Sequence, residues 1–78
     1  MVDIKQFLEL VKRFGEVKGL AETTVSLRLF NDTRRLRILR EGGDLGVRKA
    51  EVAVRYMSDQ WPAGVAWPKG IKRPEKVL

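Results

Sequence analysis

The stretch Asn31–Gly43, "NDTRRLRILREGG", decides how the whole chain is read. Four arginines fall in the seven positions from Arg34 to Arg40, interleaved with Leu36, Ile38 and Leu39. The run "RLRIL" alternates at period two, which is a strand pattern. A helix over 33–41 is the better reading. Arginine and leucine are strong helix formers. Asp32 stands where it can cap that helix, Gly42-Gly43 is a stop signal, and no second strand is evident to pair with. With Leu36 and Leu39 inward at i, i+3, residues Thr33, Arg34, Arg37 and Ile38 point outward or sideways.

The flanking segments read as helices too. Residues 22–30, "ETTVSLRLF", give a short one with Val25 and Leu29 inward. Two threonines in its first turn lower its propensity, so packing must supply the difference. The pair Asn31-Asp32 is a turn. Residues 3–18 repeat Ile4, Phe7, Leu8, Val11, Phe14 and Val17 along one face of a 3.6-residue period. Asp3 is a fair N-cap, and Gly19 after Lys18 is a C-terminal stop. Residues 46–60 align Val47, Ala50, Val54, Met57 and Trp61, with Val52 and Tyr56 as a second pair off that stripe. That pair reads as partly buried packing, a dimer contact or a seat for the tail. The expected architecture is all-α: a four-helix domain over 1–61 and a non-helical tail over 62–78. The tail holds three prolines and the cations Lys69, Lys72, Arg73 and Lys76. Trp67 is expected to fold back onto the domain, since burying an indole is favourable. The last several residues are expected to be mobile.

The bulk composition narrows the function. Seventy-eight residues make room for one small domain, and 44% hydrophobic residues are enough for one core. No apolar run approaches the roughly 18 residues that span a bilayer. The charged N-terminal run does not read as a signal peptide. A cytoplasmic protein with no membrane partner is expected. There is no cysteine and no histidine, so disulfides, the usual zinc sites, the common general base and the thiol nucleophile are all excluded. Ser26 and Ser58 have no evident base partner, and "GGD" at 42–44 lacks the lysine and spacing of a phosphate loop. No enzyme, metal, cofactor or small-molecule substrate is expected. The formal charge of +6 favours anionic partners without choosing among them.

Two short helices joined by a tight turn, between two longer amphipathic ones, make the layout of a helix-turn-helix domain. The segment Gly19–Gly42, "GLAETTVSLRLFNDTRRLRILREG", resembles the lambda-repressor-like (Cro-type) family in length and apolar placement. Val25 and Leu29 match that family's inward positions on the first short helix, and Leu36 and Leu39 those of the recognition helix. Ser26 matches a small residue, usually alanine, that lets the two helices approach. "DLGVRKAEVAVRYM" resembles the helix that closes the core. Phe30 departs from the family's turn glycine and Asn31 from a small apolar residue. Asparagine tolerates the left-handed backbone and is able to do the glycine's job one position later. The chain also resembles small regulators of phages and mobile elements.

The resemblance implies sequence-specific binding to double-stranded DNA, with Thr33, Arg34 and Arg37 at base-contacting positions. An arginine there can engage guanine O6 and N7, and Ile38 can touch a thymine methyl. Thr23, Arg28, Arg35 and Arg40 suit phosphates. Lys69, Lys72, Arg73 and Lys76 form a basic arm. A homodimer is expected, because one module reads a half-site, acting as a repressor or an excision-type factor. A competing reading from another class is a protein-binding antiactivator on the same scaffold, with Phe30, Val52, Tyr56 and Trp67 as its contact patch. A third is a small basic bundle with a structural or RNA role, its arginines merely solvated. Cover of the arginines by Asp32, Glu41 or Asp44 would count against DNA.

Overall fold

The computed structural model describes residues 3–74. Four helices occur in order: α1 (Ile4–Lys18), α2 (Glu22–Phe30), α3 (Arg35–Arg40) and α4 (Val47–Asp59). No strand occurs among the described residues, so "RLRIL" is helical despite its alternation.

α1 starts where Asp3 accepts the N–H of Gln6 at 3.1 Å. It ends at Gly19 in the left-handed region. There the Gly19 N–H reaches the Glu16 carbonyl and the Leu20 N–H reaches the Gly15 carbonyl, the paired bonds that close a helix at a glycine. Phe7, Leu10, Val11 and Phe14 are buried, with Ile4, Leu8 and Val17 at the edges of the stripe. Leu10, absent from the expected stripe, is fully enclosed. α1 faces three other helices, so its apolar face is wider than a single row.

α1 packs on α2, α3 and α4, and α2 packs on α3 and α4 as well. α3 and α4 do not approach each other. α3 is therefore held from behind chiefly by α1 and α2, through Leu36 and Leu39, both buried in the common core. α4 buries Ala50, Ala53 and Met57, and Trp61 just beyond its end continues the face. Val47, expected to open this stripe, is exposed. Leu45, immediately ahead of the helix, is buried and closes that end of the core instead.

The tail is non-helical over the described residues, as expected, but it is not extended. It contains a tandem repeat, Trp61-Pro-Ala-Gly-Val65 and Trp67-Pro-Lys-Gly-Ile71. Each indole N–H donates to the carbonyl four residues ahead: Trp61 to Val65 at 3.0 Å, Trp67 to Ile71 at 2.7 Å. Gly64 and Gly70 both adopt φ 84, the left-handed turn position in each unit. Trp67 folds back to pack against Trp61, tilted at 59° with ring centroids 4.9 Å apart, and Trp61 lies 6.1 Å from Phe14 in the core. Arg73 ends the wrap. Its guanidinium sits 5.2 Å over the Trp67 ring, with Nε and Nη2 each donating at 2.9 Å to the Ser58 hydroxyl and carbonyl. Val65, Trp67 and Ile71 pack on the core, so the tail is part of the domain rather than an appendage to residues 1–61. The closing residues expected to be mobile lie outside the described ones. Among the described residues no helix is long and apolar enough to cross a membrane.

Candidate nucleic-acid interface

The turn between α2 and α3 positions the arginine face. α2 stops at Asn31, which takes φ 55 and donates its N–H to the Leu27 carbonyl at 2.8 Å. Asparagine thus supplies the left-handed residue, and Phe30 stays helical with its ring 6.2 Å from Phe7. Asp32 then closes a tight turn. Its carboxylate accepts the Arg34 N–H at 2.9 Å and its carbonyl accepts the Arg35 N–H at 3.4 Å. That turn delays the helix, so α3 begins at Arg35 rather than at 33, and Thr33 and Arg34 sit just ahead of it.

The first turn of a helix has N–H groups with no partner inside the helix, and α3 has no capping side chain of its own. Ser26 of α2 supplies one. Its hydroxyl accepts the Leu36 N–H at 3.2 Å and donates to the Asp32 carbonyl. Ser26 is 0% exposed, and the bond from the Leu36 N–H is buried with it. The sequence marks this position for its small size; the hydroxyl that pins α3 to α2 is a tertiary fact. At the far end, the Gly42 N–H reaches the Leu39 carbonyl and the Gly43 N–H the Ile38 carbonyl. Gly42 takes φ 106, and a Cβ on Gly43 would stand 2.7 Å from the Ile38 carbonyl oxygen. Here "GG" answers two separate demands, backbone freedom and close approach.

Among the expected base contacts, Arg34 and Arg37 are open, with side chains 72% and 69% exposed. Thr33 is exposed beside them, and Ile38 is partly exposed on the same side. Arg35 is half-buried at the flank, one amino group donating to the Asp44 carbonyl at 3.0 Å. Arg40 occupies the opposite flank in an ion pair with Glu22 at the start of α2. Thr23 is exposed next to that pair. Arg28 is exposed in the last turn of α2, roughly 7.5 Å further along the axis.

Acidic groups do accompany the arginines. Arg34 Nε lies 3.9 Å from Asp32 Oδ1, and Arg37 Nε 3.6 Å from Glu41 Oε1. The Asp44 carboxylate instead caps the Leu45 N–H. The two pairs on the outer face are long contacts through Nε between well-exposed groups, worth about 0–1 kcal/mol each. They trim the local charge without enclosing either guanidinium. A duplex phosphate or base edge offers a charge-assisted or bidentate bond of greater worth, so these pairs open at little cost.

The four cations of the expected basic arm are differently placed. Arg73 is docked on Ser58 and Trp67 through Nε and Nη2, with the rest of its guanidinium exposed. Lys69 and Lys72 are exposed on the wrap, and Lys76 lies outside the described residues. The residues expected to form a protein contact are separated too. Trp67 is half-buried between Trp61 and Arg73, and Tyr56 is half-buried edge-on against Phe14. Val52 is exposed on α4 and shares a groove with Phe30. The chain matches no protein-family model, no curated protein and no solved structure.

Proposed function

We propose that this protein is a sequence-specific DNA-binding regulator that lays α3 in the major groove. One observation carries the reading: α3 is anchored from behind by Leu36 and Leu39, and the side chains of Arg34 and Arg37 on its other side are about 70% exposed. A six-residue helix is roughly 9 Å long, short enough to seat in a groove about 12 Å wide. Thr33, Arg34, Arg37 and Ile38 meet base edges. Arg28, Arg35, Arg40 and Thr23 meet phosphates on the flanks, where Arg40 exchanges its Glu22 partner for a phosphate oxygen. The resemblance of Gly19–Gly42 to the lambda-repressor-like family supports the same docking. One such module reads a short half-site, so the working form is a homodimer. Its simplest action is repression by occupying a promoter, and an excision-type role would use the same face.

The test is selection of bound sites from random duplex DNA, with a salt titration of the winning site. An enriched half-site is expected, with affinity falling steeply in salt. Replacing Arg34 and Arg37 together by alanine should cost about 1–3 kcal/mol per lost guanine contact and leave the unfolding midpoint unchanged. Failure to enrich any site, or a double variant that binds the selected site as the parent does, overturns the reading.

A further inference from the structure

Between the end of α2 and the start of α4 runs a groove of about 710 Å³. Its walls carry Arg28, Arg35, Arg48 and Lys49, and its apolar surface comes from Phe30 and Val52 with Leu29 beside them. We propose that this groove docks an acidic, apolar-bearing peptide segment of a protein partner. The proposal does not rest on the DNA reading, although Arg28 and Arg35 at the groove's edge are shared with the phosphate contacts assigned above.

Charge complementarity names the occupant. Arg28, Arg48 and Lys49 take part in none of the salt bridges found among the described residues. Among those residues Asp32 is the only carboxylate lining the groove, and it is already bonded to the Arg34 N–H. The cations stand on helices that pack against each other, so their spacing is set before a ligand arrives. Fixed clusters of this kind recognise acidic motifs. A positive groove bordered by apolar walls also concentrates anions by focusing the field.

The apolar element separates a peptide from nucleic acid. A phosphodiester backbone would use the cations and gain nothing from Phe30 and Val52. Val52 is 62% exposed at the middle of α4. One exposed valine means little; an exposed valine in a groove with a partly open phenylalanine and these three cations is a surface of mixed chemistry. A segment that alternates carboxylates with leucine or phenylalanine satisfies both parts, its apolar side chains covering Phe30 and Val52 and its carboxylates reaching the cations.

The experiment uses the full chain labelled with ¹⁵N and three probes. The first is a short peptide of aspartate and glutamate interspersed with leucine and phenylalanine. The second keeps the acids and replaces every apolar residue by serine. The third is a short random-sequence DNA duplex. The first peptide should shift the amides of residues 28–31 and 48–52 and bind about tenfold or more tightly than the serine version, the worth of one buried aliphatic side chain. Val52→Asp should weaken it by a similar factor with the unfolding midpoint unchanged, and Arg48→Glu with Lys49→Glu should do so as well. Arg34→Ala with Arg37→Ala should leave it untouched, which keeps this result separate from that of the α3 face. Equal binding of the two peptides would reduce the groove to bare charge and overturn the proposal. So would an absence of shifts there, or a duplex that shifts the amides of residues 48–52, which the α3 docking leaves untouched, more strongly than the apolar peptide does.

Discussion

Ser26→Ala is the sharpest test of how the arginine face is held in place. The substitution removes one hydroxyl from a site with no exposure and leaves the Leu36 N–H buried with no partner. The Asp32 carbonyl is less affected, because it keeps the Arg35 N–H. A buried donor left unsatisfied costs about 1–3 kcal/mol, and loss of a helix cap about 0.5–2 kcal/mol; these are two descriptions of one event and are not added. Alanine returns up to about 0.5 kcal/mol through its higher helix propensity within α2. The net expectation is a loss of about 1.5 kcal/mol. For a domain of this size, that lowers Tm by roughly 6–12 °C and the urea midpoint by about 1.5 M at a slope near 1 kcal/mol/M. Urea unfolding gives the magnitude, and hydrogen exchange of the Leu36 amide gives the cause. Ser26→Thr is the control. It keeps the hydroxyl but forces a methyl into a filled site, at about 1–3 kcal/mol, so both variants lose stability while only alanine strips protection from Leu36. If Ser26→Ala unfolds within about 0.5 kcal/mol of the parent with Leu36 still protected, the serine is a spacer and the pinning of α3 must come from Leu36 and Leu39 alone.

Substitutions at three other positions probe the remaining devices. Gly43→Ala should cost about 1–3 kcal/mol, because its Cβ would overlap the Ile38 carbonyl and the turn must shift; thermal unfolding checks it, and no change would mean that the turn is slack. Arg73→Ala should cost about 1–2 kcal/mol by removing two hydrogen bonds to Ser58 and the cation over Trp67. Its fluorescence should move to the red as Trp67 meets water, and an unmoved spectrum would show that the wrap holds without its latch. Asn31→Gly should be neutral within about 0.5 kcal/mol and Asn31→Ala destabilising by about 1 kcal/mol or more, since φ 55 is open to glycine and strained for alanine. Equal denaturation midpoints for the two would remove the left-handed turn from the account.

Much of the architecture is readable along the chain because helices are local. A 3.6-residue apolar period, an aspartate before it and a glycine after it involve only neighbours, and α1, α2 and α4 lie within a residue or two of the expected spans. The left-handed Asn31 is foreseeable for the same reason. The differences share one origin. Leu10 and Ala53 are buried, and Val47 is exposed, because each helix meets more than one neighbour and periodicity does not tell which neighbour stands where. α3 is shorter than expected because an Asp32 turn competes with a helix start. The Trp-Pro-x-Gly-Val/Ile repeat is visible as a pattern; what it builds, two indole-closed turns stacked on the core, is not.

The candidate site divides along the same line. Composition and spacing by themselves determined that the chain is helical and cationic, that it lacks histidine and cysteine chemistry, and that its arginines concentrate around one short helix. Tertiary structure alone decided which of those arginines remain open. Arg34 and Arg37 do, while Arg35 and Arg40 are tied to Asp44 and Glu22 at the flanks. It also decided that Arg28, Arg48 and Lys49 share a groove with Phe30 and Val52. The physical reason is distance along the chain. A cap, a stripe or a turn is settled by residues within a few positions, whereas the partner of a long, flexible cation is chosen by which distant carbonyl, carboxylate or ring the packed helices bring within its reach.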